Sequence, residues 1–202
     1  MTDEQALSLK GKIALVTGAG RGVGQAIALA LAKAGARVVV VDVNPDAAQR
    51  TADSITQAGG AARVQTVDVS NKIAMQTMFY AVLDEHPQID ILVNAAHITP
   101  HTSAYKLDEG EWDRALAVNL KGAFLVSQTI ARAMKETGGG VILNVVRPAT
   151  STHAAVRAAR EGLLGLTAAC AAEWAEFGVR VEVLHATDPE TTAAEAVRRC
   201  VT

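Results

Sequence analysis

The sequence predicts an α/β fold, a doubly wound parallel sheet of about six strands with helices on both faces. Two observations support this fold class. Runs such as RVVVVD (37–42) and DILVN (90–94) are apolar at consecutive positions, as in strands that are buried on both faces of a parallel sheet. These runs alternate with helical patterns along the chain, which implies right-handed crossover connections. We therefore expect one domain over residues 1–202.

Apolar runs define the strands, and polar or glycine residues end several of them. The first run stops at a glycine-rich turn, the second at Asp42 and the fourth at Asn94. The predicted strands are 12–17, 37–42, 63–67, 90–94, 141–146 and 179–184.

Helical patterns fill the segments between these strands. The first, QAIALALAKAGA, follows the glycine-rich turn directly, and the last ends the given sequence with no strand after it. The predicted helices are 22–34, 46–58, 71–86, 108–136, 153–177 and 189–200.

The composition excludes several classes of partner. The chain is 50% hydrophobic and 20% charged with a net charge of −2, which gives no electrostatic case for binding nucleic acid or a membrane surface. The start, MTDEQALSLKGK, is too polar for a signal peptide, and no apolar run is long enough to span a bilayer. Cys170 and Cys200 stand alone without metal-ligand spacing. We expect a cytoplasmic protein with free thiols and no metal site.

The stretch IALVTGAGRGVG (13–24), together with Asp42, has the layout of a dinucleotide site. A strand leads into a turn that contains Gly18, Gly20, Gly22 and Gly24, and a helix follows. Glycines let the backbone approach a pyrophosphate, the helix N-terminus offers N–H groups to it, and an acid after the second strand accepts hydrogen bonds from ribose hydroxyls. The alternative is that these glycines serve only close packing between helix and strand. The layout predicts a Rossmann-like domain.

Several motifs resemble the short-chain dehydrogenase/reductase family over residues 8 to 186. They are the spacing Thr17-Gly18-x-x-x-Gly22-x-Gly24, the strand ILVNAAHI (91–98), the segment VNLKGAFLVSQ (118–128) and GLLGLTAACAAEWAEFGVRVEVL (162–184). The resemblance implies an NAD(P) cofactor. The cofactor-binding residues it implies are Gly18, Gly20, Arg21, Gly22, Val23, Gly24, Asp42, Asp68, Val69 and Asn94.

The residue after the second strand bears on the choice between NAD and NADP. The carboxylate of Asp42 accepts hydrogen bonds from two ribose hydroxyls but repels a 2′-phosphate. Arg21 favours the phosphate, or is a solvated turn residue, and Val43 supplies no second basic partner. We expect NAD rather than NADP.

The family's catalytic residues are replaced in this chain. In the family, a tyrosine is the acid/base, a lysine four residues later lowers its pKa, and a serine binds the substrate oxygen. Anchored on the segment EGLLGLT, Val156 stands at the tyrosine position and Arg160 at the lysine position. Anchored instead on the fifth strand, VILNVV, Val146 and Arg147 replace the two serines that end the family's strand. Only Asn119 of the family's active site is retained, and its alternative role is to cap a helix kink.

These replacements leave three hypotheses about function. The first, and the one we expect, is a non-catalytic protein that binds NAD(H) as a structural or regulatory partner. The second is an oxidoreductase on a small carbonyl or alcohol substrate with a rearranged active site, in which His97 or His153 carries protons because histidine titrates near neutrality. His101 and Tyr105 are further loop candidates for that role. The third is a decayed or truncated form without a selected function.

The resemblance also implies self-association. In the family the helices corresponding to 108–136 and 153–177 pack against their copies, and 153–177 here has alanine and leucine on more than one face. Where the sequence stops at Thr202, relatives carry a segment that covers the substrate and a seventh strand. Their absence would leave a substrate wet and loosely held and removes a second interface, so we expect a homodimer.

Overall fold

A parallel sheet of six strands, in the order β3-β2-β1-β4-β5-β6, forms the centre of the molecule. The structure is a computed structural model that describes residues 8–86, 88–148 and 153–201. The strands are β1 (Ile13–Thr17), β2 (Arg37–Asp42), β3 (Ala61–Thr66), β4 (Ile91–Asn94), β5 (Gly140–Val146) and β6 (Val179–His185). The predicted fold class is confirmed.

Seven α-helices connect and follow these strands in the described residues. They are α1 (Gly22–Lys33), α2 (Pro45–Gln57), α3 (Lys72–Glu85), α4 (Glu109–Leu116), α5 (Ala123–Glu136), α6 (Ala154–Trp174) and α7 (Pro189–Val201). A π-helical segment, Ala117–Gly122, joins α4 to α5, and a short 3-10 turn, Ala175–Phe177, follows α6. None of the described helices is long and apolar enough to cross a membrane.

Two hydrophobic clusters fix the helices to the two faces of the sheet. On one face α1, α2 and α7 pack through Ile27, Leu31, Ile55 and Val197. On the other face α3, α5 and α6 pack through Phe79, Val82, Ile130, Met134 and Cys170. The central strands are apolar on both sides because each side lies under a helix layer.

The chain changes direction across the sheet between β1 and β4, which are hydrogen-bonded neighbours with Thr17 opposite Asn94. From β1 the chain proceeds outward to β3, and from β4 it proceeds the other way to β6. In doubly wound sheets ligands bind in the crevice beyond the carboxyl ends of the strands at this switch point. The residues that follow Thr17 and Asn94 are therefore placed to form a site.

Two predicted elements differ from the structure, one in where it begins and one in its continuity. The third strand begins at Ala61 rather than residue 63, because Ala61 and Ala62 pair with Arg37 and Val38 of β2 although alanine is not a strand-forming residue. The helix predicted over 108–136 is interrupted by the π-helical segment at Ala117–Gly122.

Candidate active site

The glycine turn lies against the loop that follows β4. A Cβ atom on Gly18, which has φ +64°, would lie 2.6 Å from the Cα of Ala96, and one on Gly24 would lie 2.2 Å from the carbonyl oxygen of Gly18. Both glycines are therefore needed for packing. Gly22 is different, since it has φ +59° and a Cβ there would meet no atom within 4 Å. Space for a ligand lies beside the turn at Gly22.

The N-terminus of α1 faces this turn without a side-chain cap. Arg21 is the N-cap residue and makes no capping hydrogen bond, and the first turn of α1 holds no acidic residue. Free N–H groups and the positive end of the helix dipole attract a phosphate. The residues present thus fit the pyrophosphate of a dinucleotide.

Asp42 is fixed beside the glycine turn by two backbone groups. Its Oδ2 accepts a hydrogen bond of 2.8 Å from the N–H of Gly20, and its Oδ1 accepts one of 3.0 Å from the N–H of Asn44. The carboxylate is half-buried and each oxygen keeps a lone pair for another donor. This geometry leaves Asp42 able to accept hydrogen bonds from ribose hydroxyls, whereas Arg21 is exposed.

Asp68 and Val69 follow β3 at the same edge. Burial opposes ionisation of Asp68, but hydrogen bonds from the hydroxyl and N–H of Ser70 and the charge of Arg114 outweigh it, so the pKa of Asp68 lies below its usual value. Arg114 reaches Asp68 Oδ2 at 3.5 Å. Val69 is buried and packs close to Gly122. Asp68 is thus a fixed anion at the same edge of the sheet as Asp42.

Asn94 belongs to a buried polar network that the sequence did not reveal. Its Nδ2 donates to Ser127 Oγ and to Asn144 Oδ1, each at 2.8 Å, and Asn144 Nδ2 donates to Thr167 Oγ1 at 2.9 Å. This network ties β4 to β5, α5 and α6. Asn94 Oδ1 is buried and accepts no hydrogen bond from the described residues, although Asn94 lines the cleft described next. Asn94 Oδ1 is therefore an unused hydrogen-bond acceptor beside the cleft.

A cleft of ≈ 370 Å³, open to solvent, lies next to this network. The structure brings together there seven of the residues that the sequence singled out. They come from the end of β4, the π-helical segment, the end of β5 and α6: Asn94, His97, Asn119, Val146, Arg147, Val156 and Arg160. Tyr80 and Tyr105 do not line it and are 66% and 97% exposed. The described cleft residues therefore include no phenol.

His97 stands at the mouth of the cleft after β4. Its Nε2 lies 3.2 Å from Thr99 Oγ1. Burial and the positive charge of Arg147 lower the pKa of His97 from 6.5 to about 4. The imidazole is therefore neutral at pH 7, and it can donate one hydrogen bond and accept another.

Arg160 is held in place under the cleft. Its Nε donates to the carbonyl oxygen of Arg147 at 3.0 Å, and its Nη1 pairs with the carboxylate of Glu161. The side chain is 16% exposed. One turn earlier on α6, Val156 is 3% exposed and presents only methyl groups. Arg160 can supply positive charge, but at neutral pH an arginine is a poor proton donor.

Asn119 uses its whole amide group to hold the loop after β4. Its Oδ1 accepts a hydrogen bond from the N–H of Ile98, and its Nδ2 donates to the carbonyl oxygen of the same residue, both at 2.8 Å. Asn119 is thus placed to position the segment that carries His97. His153, the other candidate histidine, lies at the N-cap of α6 and is not among the described residues that line the cleft. The described residues include no cluster of three side chains fit to hold a metal ion.

A doubly wound sheet with a glycine turn at its switch point is the arrangement of nicotinamide-dinucleotide-binding domains. The particular family follows from comparison. The family model for short chain dehydrogenases matches residues 12–200, and the chain belongs to that family.

Individual relatives and a solved structure support this assignment to the family. The chain is 40% identical over 197 residues to a D-threitol dehydrogenase of Mycolicibacterium smegmatis, covering 93% of this chain and 76% of the relative. It is 32% identical over 188 residues to an NAD-dependent glycerol dehydrogenase of Listeria innocua, covering 91% and 73%. A metagenomic short-chain oxidoreductase solved in complex with NADP superimposes with a TM-score of 0.92 at 32% identity, covering 96% of this chain and 92% of that one.

These relatives bear on two of the expectations. They are named as dehydrogenases and an oxidoreductase, so the hypothesis of an oxidoreductase fits the family better than that of a non-catalytic partner. One is NAD-dependent and one was solved with NADP, so the family relationship is compatible with either cofactor.

Proposed function

We propose that this protein is an NAD(H)-dependent oxidoreductase that acts on a small alcohol or carbonyl substrate through a rearranged active site. One observation carries the proposal. The loop after β4 contacts the glycine turn through Ala96 and lines the cleft through Ala96 and His97. The dinucleotide site and the polar cleft are therefore adjacent at the switch point of the sheet.

The cofactor residues follow from the geometry of the turn. The free N–H groups of α1 and the open side of Gly22 suit the pyrophosphate, and Asp42 suits two ribose hydroxyls. A 2′-phosphate beside the Asp42 carboxylate would be repelled, which favours NAD(H) over NADP(H). The bound nicotinamide ring supplies or accepts a hydride.

The cleft residues would stabilise negative charge on the substrate and transfer protons. The guanidinium groups of Arg147 and Arg160 stabilise negative charge on a substrate oxygen. The neutral imidazole of His97 can exchange a hydrogen bond with that oxygen, and proton transfer to solvent can pass through it. Val156 keeps the inner wall apolar. Because the family resemblance places Val156 and Arg160 at the tyrosine and lysine positions, we expect turnover below about one per second, compared with a median enzyme near ~10 s⁻¹.

The cofactor part is tested by titrating NADH and NADPH into the purified protein in a calorimeter. NADH should bind more tightly, and Asp42→Ala should weaken NADH binding by about 1–3 kcal/mol, because charge-assisted hydrogen bonds are lost. Asp46→Ala, which alters an exposed carboxylate at the start of α2, is the control and should keep the affinity. Failure of both dinucleotides to bind at millimolar concentration would refute the cofactor assignment.

The reaction is tested on a panel of small alcohols and carbonyl compounds with saturating cofactor. His97→Gln should lower kcat by roughly 10²-fold, the lower end of the range for a general acid or base. His101→Gln, an exposed histidine of the same loop outside the cleft, should leave kcat unchanged. Equal rates for the two variants would remove His97 from the proton path.

A second candidate function is a non-catalytic protein that binds NAD(H) as a structural or regulatory partner. It is favoured by Val156, since its methyl groups stand at the cleft wall at the family's tyrosine position. Tight NADH binding without hydride transfer to any member of the panel would support this candidate over the first.

A further inference from the structure

The side chain of Arg147 reaches the cleft without a partner of opposite charge. Arg147 follows β5 and is exposed, and its guanidinium forms no hydrogen bond or ion pair with the described residues. The positive charge of Arg147 nevertheless acts on His97 and, after burial, helps to lower the pKa of the imidazole. Since Arg147 and His97 line the same cleft, the guanidinium of Arg147 is available to a ligand that enters it.

The rest of the cleft also carries positive charge, part of which is balanced by an ion pair. Arg160 lines the cleft, and the first turn of α6, which contributes Val156, contains no acidic residue. The described residues that line the cleft include no aspartate or glutamate. Glu161, which pairs with Arg160, is itself 60% exposed and lies outside the lining. The positive end of the α6 dipole and two guanidinium groups thus act on the same space.

We propose that the cleft takes a substrate that carries a carboxylate, a hydroxy acid or the corresponding oxo acid, and that Arg147 binds this carboxylate. This inference rests on the proposed oxidoreductase function for the reacting group, while the anion site itself rests on Arg147, Arg160 and the cleft. A planar guanidinium pairs with a carboxylate through two parallel hydrogen bonds, which orients the substrate as well as binding it.

The proposed site gives a role to Arg160, which stands on α6 where the family resemblance places a lysine. The Nε of Arg160 is used by the carbonyl oxygen of Arg147. This contact fixes the backbone from which the Arg147 side chain extends, and the charge of Arg160 remains in the cleft. Arg160 thus positions Arg147 in addition to supplying the charge that the proposed function assigns to it.

The experiment compares acids with their neutral amides. Lactate and 3-hydroxybutyrate, and lactamide and 3-hydroxybutyramide, are titrated into the protein with and without NADH, and the imidazole resonances of His97 are followed by NMR. We expect each acid to bind at least 10-fold more tightly than its amide, since hydrogen bonds to charged groups are worth more than neutral ones. Binding of the acid should also raise the pKa of His97, because the carboxylate offsets the charge of Arg147.

Variants test which side chain is responsible. Arg147→Gln should abolish the preference for the acids, and Arg147→Lys should retain part of it. Arg157→Gln, an exposed arginine of α6 outside the cleft, should retain all of it. Since Arg147 is exposed, both variants at this position should fold, and circular dichroism checks that they do. Equal binding of acid and amide, or an unchanged preference in Arg147→Gln, would overturn the inference.

A competition experiment distinguishes a substrate site from a general anion site. Inorganic phosphate and acetate are used as competitors, and competition as strong as that of the hydroxy acids would overturn the inference. Turnover of neutral alcohols without preference for the acids would also overturn it, while leaving the proposed oxidoreductase function intact. Selective binding of the acids without any turnover would support the anion site and refute the proposed reaction.

Discussion

The pKa of His97 is lowered by burial and by the charge of a residue 50 positions away in the sequence. Burial comes first and the charge of Arg147 second in lowering the pKa of His97 to about 4. Nothing next to His97 in the chain signals this, since the neighbours Ala95, Ala96 and Ile98 are apolar. The sequence predicted His97 as a candidate, but its neutral form follows only from the contact between the ends of β4 and β5.

The lowered pKa of His97 predicts a pH dependence of stability. The pKa is about 4 in the folded protein and near 6.5 in the unfolded chain, so between these values the unfolded chain binds more protons. The free energy of unfolding should therefore fall as the pH falls from 6.5 toward 4. In His97→Gln this contribution is removed.

Urea unfolding at pH 7 and pH 5 measures the effect. Wild type should lose more stability between these pH values than His97→Gln does. His101→Gln, which alters an exposed histidine of the same loop, should lose as much stability as wild type. An identical loss in wild type and His97→Gln would contradict a buried neutral imidazole.

Within the glycine turn, the glycines have separable roles. Gly24 allows α1 to approach the backbone at Gly18, whereas Gly22 borders open space. Gly24→Ala should destabilise the fold by about 1–3 kcal/mol through overpacking. Gly22→Ala should cost only about 1–2 kcal/mol of stability for its left-handed backbone, but it should weaken NADH binding at least 10-fold because its Cβ enters the space beside the helix N-terminus.

Thermal unfolding and NADH titration of both variants measure these two effects. This pair also tests the alternative that the glycines serve only packing. In that case Gly22→Ala would bind NADH as tightly as wild type does.

The boundaries of most elements were predictable because their causes are local. The central strands are apolar at consecutive positions and end at Asp42 and Asn94, so their limits can be read from residue type. The π-helical segment was not predictable, because Asn119 bonds to the backbone of Ile98, 21 residues earlier. A helix kink at Asn119 was one alternative from the sequence, but an asparagine alone does not show that the helix widens there.

For the molecule as a whole, the cofactor half of the site was more accessible to sequence reasoning than the catalytic half. The glycine turn and Asp42 form one continuous supersecondary unit with a known spacing. The cleft instead combines Arg147, Arg160 and His97 from three segments, and the network of Asn94, Asn144 and Thr167 crosses the sheet. Such combinations depend on tertiary packing, which periodicity does not encode.

The exposed face of α6 favours the homodimer that the family resemblance implies. Its exposed positions include a series of small residues that would allow close approach of a second helix: Ala158, Gly165, Ala168, Ala169 and Ala172. We predict a dimer through 108–136 and 153–177, and Ala169→Glu should dissociate it by placing a charge in the contact. Ala81→Glu on the exposed side of α3 is the control. Light scattering at micromolar concentration measures the mass, and a monomeric wild type would contradict the prediction.

The short connection between β6 and α7 bears on how substrate enters the cleft and how product leaves it. Only Ala186, Thr187 and Asp188 separate His185 from Pro189, and α7 packs directly on α1. In many enzymes the opening of a covering segment or the release of product, rather than the chemical step, limits the rate. Three residues cannot form such a segment, so we expect the chemical step to limit turnover. With deuterium at the transferred position of the nicotinamide, the full primary isotope effect should therefore appear in kcat as well as in kcat/KM. An isotope effect expressed in kcat/KM but absent from kcat would show that a physical step still controls release of the product.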